Sequence, residues 1–176
     1  MAGLVVIVVL LAFNKDRFKA MLDPESDSIV GTQAPEFAAG EWINSAPLTI
    51  RELRGKIVIV DFWTFKCRNC VNVLPDVQDW YKTYRDRGGT VVAVHSPETD
   101  AEADLDVLRR FIADNGIEYP IVTDNTFATW NRYRVQFWPS TFVIDREGII
   151  RSFHYGELGI SSVKDDVERL LTDSSR

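Results

Sequence analysis

The feature that most constrains this sequence is a buried strand that leads directly into a pair of cysteines. The run Ile57–Phe62 reads IVIVDF and is apolar except for Asp61. Continuous apolar runs of this length are typical of a central parallel strand that is covered on both faces. Cys67 and Cys70 follow it, and apolar residues then recur every three to four positions as far as Tyr84, which predicts an amphipathic helix. The cysteines are therefore expected where a sheet strand passes into a helix.

The rest of the chain alternates predicted strands with predicted helices. Apolar periodicity and turn residues predict strands at 90–95, 119–122, 140–144 and 149–153, and helices near 105–112, near 127–133 and after a cap at Ser162. Asp145-Arg146-Glu147-Gly148 joins the last two strands as a hairpin, so the sheet is expected to be mixed. This order predicts an α/β fold with three layers, in which helices cover both faces of a central mixed sheet.

The amino end carries a separate apolar segment. Ala2–Phe13 is an unbroken apolar stretch, shorter than the roughly 20 residues that cross a bilayer as a helix. A signal anchor, a membrane helix truncated at its start by Met1 and a buried core helix all remain open. The first two are favoured because a small domain offers such a terminus little to pack on. The basic residues Lys15, Arg17 and Lys19 follow the stretch and argue against export of the downstream part.

Length and composition bound the domain and its partners. Residues 23–33 are polar and contain Pro and Gly, which predicts a linker between an apolar segment at 1–22 and one folded domain at 34–173. The 20 basic and 26 acidic residues give a net charge of -6, so nucleic acid is not expected as a partner. Two cysteines in 176 residues exclude a fold that is braced by several disulfides.

The spacing Cys67-Arg68-Asn69-Cys70 points to thiol–disulfide exchange. The amino terminus of a helix carries a partial positive charge that favours a thiolate, and Lys66 and Arg68 add to this charge beside Cys67. Cys70 lies one turn further into the helix and is expected to be more buried. Cys67 is therefore predicted to attack a disulfide, and Cys70 to resolve the mixed disulfide that forms.

Simpler explanations of the cysteine pair are weaker. A zinc site needs two more ligands, and His95 and His154 stand at no zinc-finger spacing. A purely structural bridge between neighbouring cysteines would close too small a loop to restrain the chain. His95 is predicted to be a hydrogen-bonded structural residue at a strand end, and the acidic run Asp100–Asp106 is predicted to be a solvated helix start.

At these residues the sequence resembles the thioredoxin superfamily. Val60-Asp61-Phe62-Trp63, the Cys67-x-x-Cys70 pair and Pro75 look like the thioredoxin signature, and Trp138-Pro139-Ser140-Thr141 matches the position of that fold's cis-proline. The segment 90–122, with an added helix and strand, is similar to the extracytoplasmic TlpA/ResA branch. The stretch WTFKCRNC and the later motifs Asp79-Trp80-Tyr81, His95-Ser96-Pro97-Glu98 and Phe137-Trp138-Pro139 look closest to the redoxin domain of DipZ-type proteins.

The resemblance implies a thioredoxin-like thiol–disulfide oxidoreductase that reduces protein disulfides, with apocytochrome c as a candidate substrate. It implies a monomer, anchored in a membrane with its catalytic domain outside the cytoplasm, that a membrane electron donor of the CcdA type recharges. It implies no metal and no cofactor beyond the redox-active Cys67–Cys70 disulfide. The catalytic residues it implies are Cys67, Cys70, Asp61 and Pro139. Its substrate-binding residues are Trp63, Lys66, Arg68, Asn69 and Trp138.

Asp61 lies six residues before Cys67, at the position of the buried carboxylate in the resembling thioredoxins. Strand alternation puts it on the same face as Ile57, Ile59 and Trp63. Burial is expected to raise its pKa, which would let it accept the proton of Cys70 near neutral pH. A purely structural carboxylate, hydrogen-bonded to the backbone or to Thr64, remains the alternative.

Two other functions use the same fold. Peroxiredoxins carry the motif P-x-x-x-T/S-x-x-C, which Thr64 fits and Val60 does not. Copper-binding assembly factors of the Sco type use two cysteines and a distant histidine. His154 could supply that histidine, although the Sco cysteines are spaced one residue wider than Cys67 and Cys70.

Overall fold

The structure is a computed structural model that describes residues 29–173. Within them six strands form one sheet: β1 Trp42–Ile43, β2 Ile57–Trp63, β3 Gly89–His95, β4 Ile121–Thr123, β5 Ser140–Ile144 and β6 Ile150–Tyr155. Their order across the sheet is β1-β4-β3-β2-β5-β6. β2, β3 and β4 run parallel, and β1, β5 and β6 pair antiparallel with their neighbours. The mixed central sheet that the hairpin predicted is confirmed.

Helices cover both faces of this sheet, which confirms the three-layer α/β prediction. They are α1 Arg68–Tyr84, α2 Leu105–Asp114, α3 Ala128–Arg132, α4 Gly156–Gly159 and α5 Ser161–Thr172, with short 3-10 turns at Arg85–Arg87 and Asp100–Glu102. The side chains of β2 divide between two cores because they alternate along the strand. Ile57, Ile59 and Trp63 pack with α1, α2 and α5, whereas Val58, Val60 and Phe62 pack with α3 and the turn at 50–53.

Three details differ from the sequence predictions. Ser162 does not cap the last helix, because that helix begins at Ser161 and Ile160 stands before it without a side-chain cap. Residues 31–33, at the end of the predicted linker, pair with the edge strand β6, where the Gly31 N–H donates to the Ile150 carbonyl at 2.8 Å. The folded domain therefore begins before residue 34. Glu102, predicted in a solvated run, is fully buried.

The predicted anchor Ala2–Phe13 lies outside the described residues. Most of the predicted linker, residues 23–28, lies outside them as well. Between residues 29 and 173 no helix combines the length and the apolar character that crossing a membrane requires.

Candidate active site

Cys67 and Cys70 lie where β2 ends and α1 begins. Cys67 caps the amino terminus of α1, and its sulfur accepts a hydrogen bond from the backbone N–H of Cys70 at 3.3 Å. Both are free thiols, Cys67 half-buried and Cys70 only 3% exposed. The positive end of a 17-residue helix is directed at the Cys67 sulfur, and no acidic residue in the first turn offsets it. The sulfur of a partner can therefore approach Cys67 and not Cys70.

Cys70 is held in its protonated form. Burial raises the pKa of its thiol, and the hydrogen bond with Cys67 and the charges of Cys67 and Asp61 raise this pKa further. A hydrogen bond with the backbone of Thr64 lowers the pKa of Cys70, but by less than these effects raise it. Cys70 therefore needs a proton acceptor close by before it can act as a nucleophile.

Asp61 is the acidic side chain whose charge reaches Cys70 from inside the sheet. It is 3% exposed, and its Oδ1 accepts a hydrogen bond from the Thr141 hydroxyl at 2.8 Å, across the antiparallel pair of β2 and β5. Burial raises the pKa of Asp61 from its ordinary value of 3.8 to about 7, against a lowering by the Thr141 hydrogen bond. Thr141, and not the predicted Thr64, is therefore the side chain that hydrogen-bonds Asp61.

The segment before β5 forms the second wall of the site. The Trp138–Pro139 peptide bond is cis, and the register pairs Phe62 with Ser140, so Pro139 lies at the end of the sheet from which the cysteine loop starts. The Trp138 indole is half-buried and donates from Nε1 to the Ser96 carbonyl at 3.0 Å. Its ring packs 4.3 Å from that of Trp130. These two contacts hold the Trp138 indole in one position beside the site.

The predicted substrate-binding residues divide by exposure. Lys66, Arg68 and Asn69 are exposed around Cys67, and neither cation has an ion-pair partner within residues 29–173. Trp63 is 3% exposed and packs edge-on against His95. Its assignment to substrate binding is therefore wrong, because alternation along β2 turns the ring into the core.

Glu102 belongs to the site, although the acidic run around it predicted a solvated residue. Its carboxylate accepts hydrogen bonds from the Thr64 hydroxyl and from the backbone N–H of Lys66, which belong to the three residues before Cys67. The signal was present in Thr99-x-x-Glu102, the spacing of a capping box, and the structure contains this box. His95 has the predicted structural role at the end of β3, where its Nε2 lies 3.4 Å from the Thr64 hydroxyl.

His154, the candidate copper ligand, is engaged elsewhere. Its Nε2 lies 3.0 Å from Asp166 Oδ2 and 3.3 Å from the Ser152 hydroxyl. Across the described range 29–173, no three His, Cys, Asp or Glu side chains are grouped so that they could hold a metal ion.

The sheet order, the cysteine pair at the start of α1 and the proline loop beside it define a thioredoxin-like redox domain. Residues 30–153 match the AhpC/TSA family, and the chain belongs to that family. The domain superposes with a TM-score of 0.73 on the solution structure of a thioredoxin-like protein in its oxidized form, at 28% identity, over 81% of this chain and 97% of that one.

Two curated relatives support the same class. Protein DipZ of Mycobacterium tuberculosis is 38% identical over 136 residues, which cover 76% of this chain and 20% of DipZ. This chain therefore spans about a fifth of the length of that relative. The thiol-disulfide oxidoreductase ResA of Geobacillus kaustophilus is 26% identical over 167 residues, 95% of this chain and 90% of ResA. The resemblance to thioredoxin-like oxidoreductases that the motifs indicated is confirmed.

Proposed function

We propose that this chain is a thiol–disulfide oxidoreductase whose Cys67–Cys70 pair cycles between dithiol and disulfide. The observation that carries the proposal is the asymmetry of the pair. Cys67 is accessible at the positive end of α1. Cys70 is buried behind it, and the backbone N–H of Cys70 donates a hydrogen bond to the Cys67 sulfur. One cysteine can meet a partner while the other waits within reach of the same sulfur atom. The names of ResA and other relatives agree with this chemistry.

The reaction proceeds in two exchanges that pass two electrons to the partner. The Cys67 thiolate attacks one sulfur of the partner's disulfide, and the other partner sulfur leaves as a thiolate. The Cys70 thiol then gives up its proton and attacks Cys67, which forms the Cys67–Cys70 disulfide and releases the second partner thiolate. Asp61, whose pKa lies near neutral, accepts the Cys70 proton in this step. An external dithiol must reduce the new disulfide to close the cycle.

Pro139 leaves the neighbouring backbone of Trp138 available to a partner chain. A proline at the start of a strand has no N–H to pair, so the backbone of Trp138 stays open to an extended segment that carries the partner's disulfide. Lys66, Arg68 and Asn69, which surround Cys67 on its exposed side, complete the surface that this segment contacts.

The reducing direction is tested by equilibrating the purified chain with glutathione buffers and by following the reduction of a protein disulfide such as that of insulin. We expect a potential near that of thioredoxin, about -270 mV, and not near the -120 mV of a strong oxidant. Failure to form a Cys67–Cys70 disulfide at any buffer ratio would refute the proposal.

Thiol peroxidase activity is the second candidate, since the AhpC/TSA family and the position of Thr64 favour it. Against it, Val60 stands where the motif has proline, and the single hydroxyl hydrogen of Thr64 goes to Glu102 and not to a cysteine. Consumption of hydrogen peroxide by the reduced chain, measured beside disulfide reduction, distinguishes the two activities. We expect disulfide reduction to be the faster.

We propose a membrane anchor in Ala2–Phe13, an extracytoplasmic domain, a CcdA-type electron donor, and apocytochrome c among the substrates. The apolar character of that stretch and the likeness to the TlpA/ResA branch support this location. Labelling of Cys67 in intact cells with a thiol reagent that does not cross membranes tests it, with a cytoplasmic thiol protein as the control.

An apolar rim beside the proline loop fits an unfolded protein segment. Large apolar side chains that are exposed within residues 29–173 are Val30 and four residues that we call the apolar rim: Val71, Phe137, Tyr155 and Leu158. The segments that carry the rim are adjacent: the ring centroids of Phe137 and Tyr155 lie 6.3 Å apart, the Gly156 N–H donates to the Pro139 carbonyl, and Asn72 of α1 donates to Glu157 of α4. Exposed apolar patches of this kind mark interaction surfaces.

Leu158→Ser is therefore expected to raise the KM for a protein disulfide about tenfold, because a buried leucine contributes roughly 1.5–3 kcal/mol. Leu158 is 96% exposed, so the fold should be unaffected. Val30→Ser is the matched control, since Val30 lies beside Ile150, at the opposite end of β6 from Tyr155. Equal effects of both variants on insulin reduction would argue against the rim.

A further inference from the structure

Glu102 is a fully buried carboxylate without a cationic partner among residues 29–173. Its Oε1 accepts hydrogen bonds from the Thr64 hydroxyl and from the Lys66 N–H, the latter at 3.1 Å. Its Oε2 accepts from the N–H groups of Glu98 and Thr99, at 3.1 and 2.9 Å, and from the Thr99 hydroxyl at 3.1 Å. Five donors thus replace the water that a carboxylate loses on burial.

The two carboxylate oxygens serve different segments of the chain. Oε1 contacts residues 64–66, the turn that ends at Cys67, whereas Oε2 contacts the loop after β3. Burial by itself raises the pKa of Glu102, but hydrogen bonds from Thr64, Lys66 and Thr99 outweigh burial and lower this pKa below its ordinary value. The group is therefore an anion throughout the neutral range, and hydrogen bonds to an anion are the strong ones.

The turn is held at each of its three residues. The Thr64 hydroxyl donates to Glu102, so its oxygen is free to accept the Nε2–H of His95 at 3.4 Å. Burial lowers the pKa of His95 to about 4, against the opposing charge of Glu102, and keeps the ring neutral. The Phe65 ring stacks with His95 at 5.6 Å and with Phe111 at 5.4 Å between ring centroids, and the Lys66 N–H donates to Glu102.

We propose that Glu102, through Thr64 and the Lys66 backbone, is a positioning residue that holds Cys67 opposite Cys70 in the dithiol state and so sets the redox equilibrium of the pair. This inference rests on the proposed function. Glu102 touches neither sulfur in this arrangement and acts only through the turn.

The physical reason lies in the difference between the two redox states. In the disulfide form, the covalent bond itself fixes Cys67 relative to Cys70. In the dithiol form that restraint is gone, and the contacts of the turn must hold the Cys67 sulfur in place. Loss of these contacts adds freedom mainly to the dithiol, and closing the disulfide must then remove that freedom. The equilibrium constant for disulfide formation therefore falls.

The test compares three variants of the full chain. Thr64→Val keeps the shape of the side chain and deletes the hydroxyl that donates to Glu102, Thr64→Ser keeps the hydroxyl, and Thr99→Val deletes the other hydroxyl that donates to the same carboxylate, on the side away from Cys67. The quantity measured is the equilibrium constant of the reaction in which the protein dithiol and oxidised glutathione give the protein disulfide and two reduced glutathiones.

We expect this constant to fall about three- to tenfold in Thr64→Val, and a tenfold fall equals about 30 mV for this two-electron couple. The constant of Thr64→Ser should stay within about twofold of the wild-type constant, because serine keeps the hydroxyl that donates to Glu102. Thr99→Val should lower the unfolding midpoint yet leave the constant within about twofold. An unchanged constant in Thr64→Val, or an equal fall in Thr99→Val, would overturn the inference.

Hydrogen exchange of the wild-type chain tests the contact between Glu102 and Lys66 without any substitution. The Lys66 amide, bound to Glu102, should exchange its hydrogen at least about a hundredfold more slowly than a free loop amide in the reduced chain. Exchange at the free rate would contradict the inference. A wild-type chain that equilibrates with glutathione while these tests fail rejects only the role of Glu102, whereas a wild-type chain that forms no disulfide rejects the proposed function.

Discussion

Cys70→Ala is expected to accumulate a mixed disulfide between Cys67 and a protein substrate, whereas Cys67→Ala should accumulate none. Without Cys70 the first exchange still occurs, because Cys67 is accessible and lies at the positive end of α1. The second exchange has then lost its nucleophile. Both variants should lose turnover by more than about a thousandfold, as is usual when one member of a covalent catalytic unit is removed. Non-reducing gel electrophoresis with insulin as the substrate shows the trapped complex.

Alkylation of the reduced wild-type chain checks the assignment of the two cysteines independently. At mildly acidic pH, iodoacetamide should label Cys67 first, since Cys70 is 3% exposed and burial raises the pKa of its thiol. Peptide mapping by mass spectrometry identifies the labelled residue. Labelling of Cys70 ahead of Cys67 would reverse the roles of the two residues.

The strands, the helices and the cysteine site were predictable because their signals are local. Apolar alternation and three-to-four periodicity report on one element at a time, and they placed β2, α1 and the hairpin of β5 and β6 within a residue or two of their observed ends. Cys67 and Cys70 are close in sequence, so the helix between them determines their separation. Asp61 was predictable as buried because it interrupts an otherwise apolar strand.

The partners of these residues were not predictable, since they come from distant parts of the chain. Thr141 reaches Asp61 through the register of β2 with β5, and Glu102 reaches Thr64 across 38 positions. An acidic run at a helix start is usually solvated. The capping-box spacing Thr99-x-x-Glu102 distinguishes Glu102 from Asp100 and Asp104, but it does not show that the turn at 64–66 packs against this carboxylate. Ser162 failed as a cap for a local reason, because the short helix α4 leads almost directly into the last helix, which therefore begins at Ser161.

Membership of the AhpC/TSA family is compatible with peroxide reduction and with disulfide exchange, and the side chains near Cys67 favour disulfide exchange. The Thr64 hydroxyl donates its hydrogen to the buried Glu102 carboxylate, and Cys70 lies one helical turn from Cys67. The same contact that argues against a peroxidase gives the Cys67 turn its rigidity. The family, the site and the role inferred for Glu102 are therefore consistent with one another.

Asp61→Asn should slow the resolution of the mixed disulfide near neutral pH by about a hundredfold, the lower end of what a general base contributes. The reason is the coupling between two buried acids. The charge of Asp61 raises the pKa of Cys70, so the Cys70 thiolate forms easily only when Asp61 takes up the proton in the same step. The wild-type rate should rise as pH passes about 7, where Asp61 ionises, and stopped-flow measurement of the resolution step should show no such rise in the variant.

Thr141→Val is the matched control for this pH dependence. The Thr141 hydroxyl donates to Asp61 and lowers its pKa. Loss of that hydroxyl should raise the pKa of Asp61 further and move the inflection of the rate to higher pH, while the base itself remains. A general loss of packing would lower the rate at every pH and leave the inflection where it was, so the two causes give different profiles.

Asp61→Asn should also change the stability of the fold, and the sign of this change follows from the raised pKa of Asp61. Folding moves the pKa of Asp61 from an ordinary 3.8 to about 7, so the folded state binds the proton more tightly than the unfolded state. Its contribution to stability is fully present below pH 3.8 and is lost as pH rises through about 7. A shift of this size corresponds to about 4 kcal/mol, from which the unpaired amide N–H of a buried asparagine subtracts about 1–3 kcal/mol.

Asp61→Asn should therefore be more stable than the wild type at pH 8 by about 1–3 kcal/mol. At pH 4 the wild type no longer bears the cost of a buried charge, so the unpaired amide should leave the variant less stable than the wild type by about 1–3 kcal/mol. Urea unfolding of the reduced chain at both pH values measures these differences. A variant that gains stability at pH 8 and loses resolution rate identifies a carboxylate kept in the core for its chemistry, at a cost to the fold. A variant that is stabilised with its resolution rate unchanged from pH 6 to 9 would show that Asp61 takes no part in the exchange.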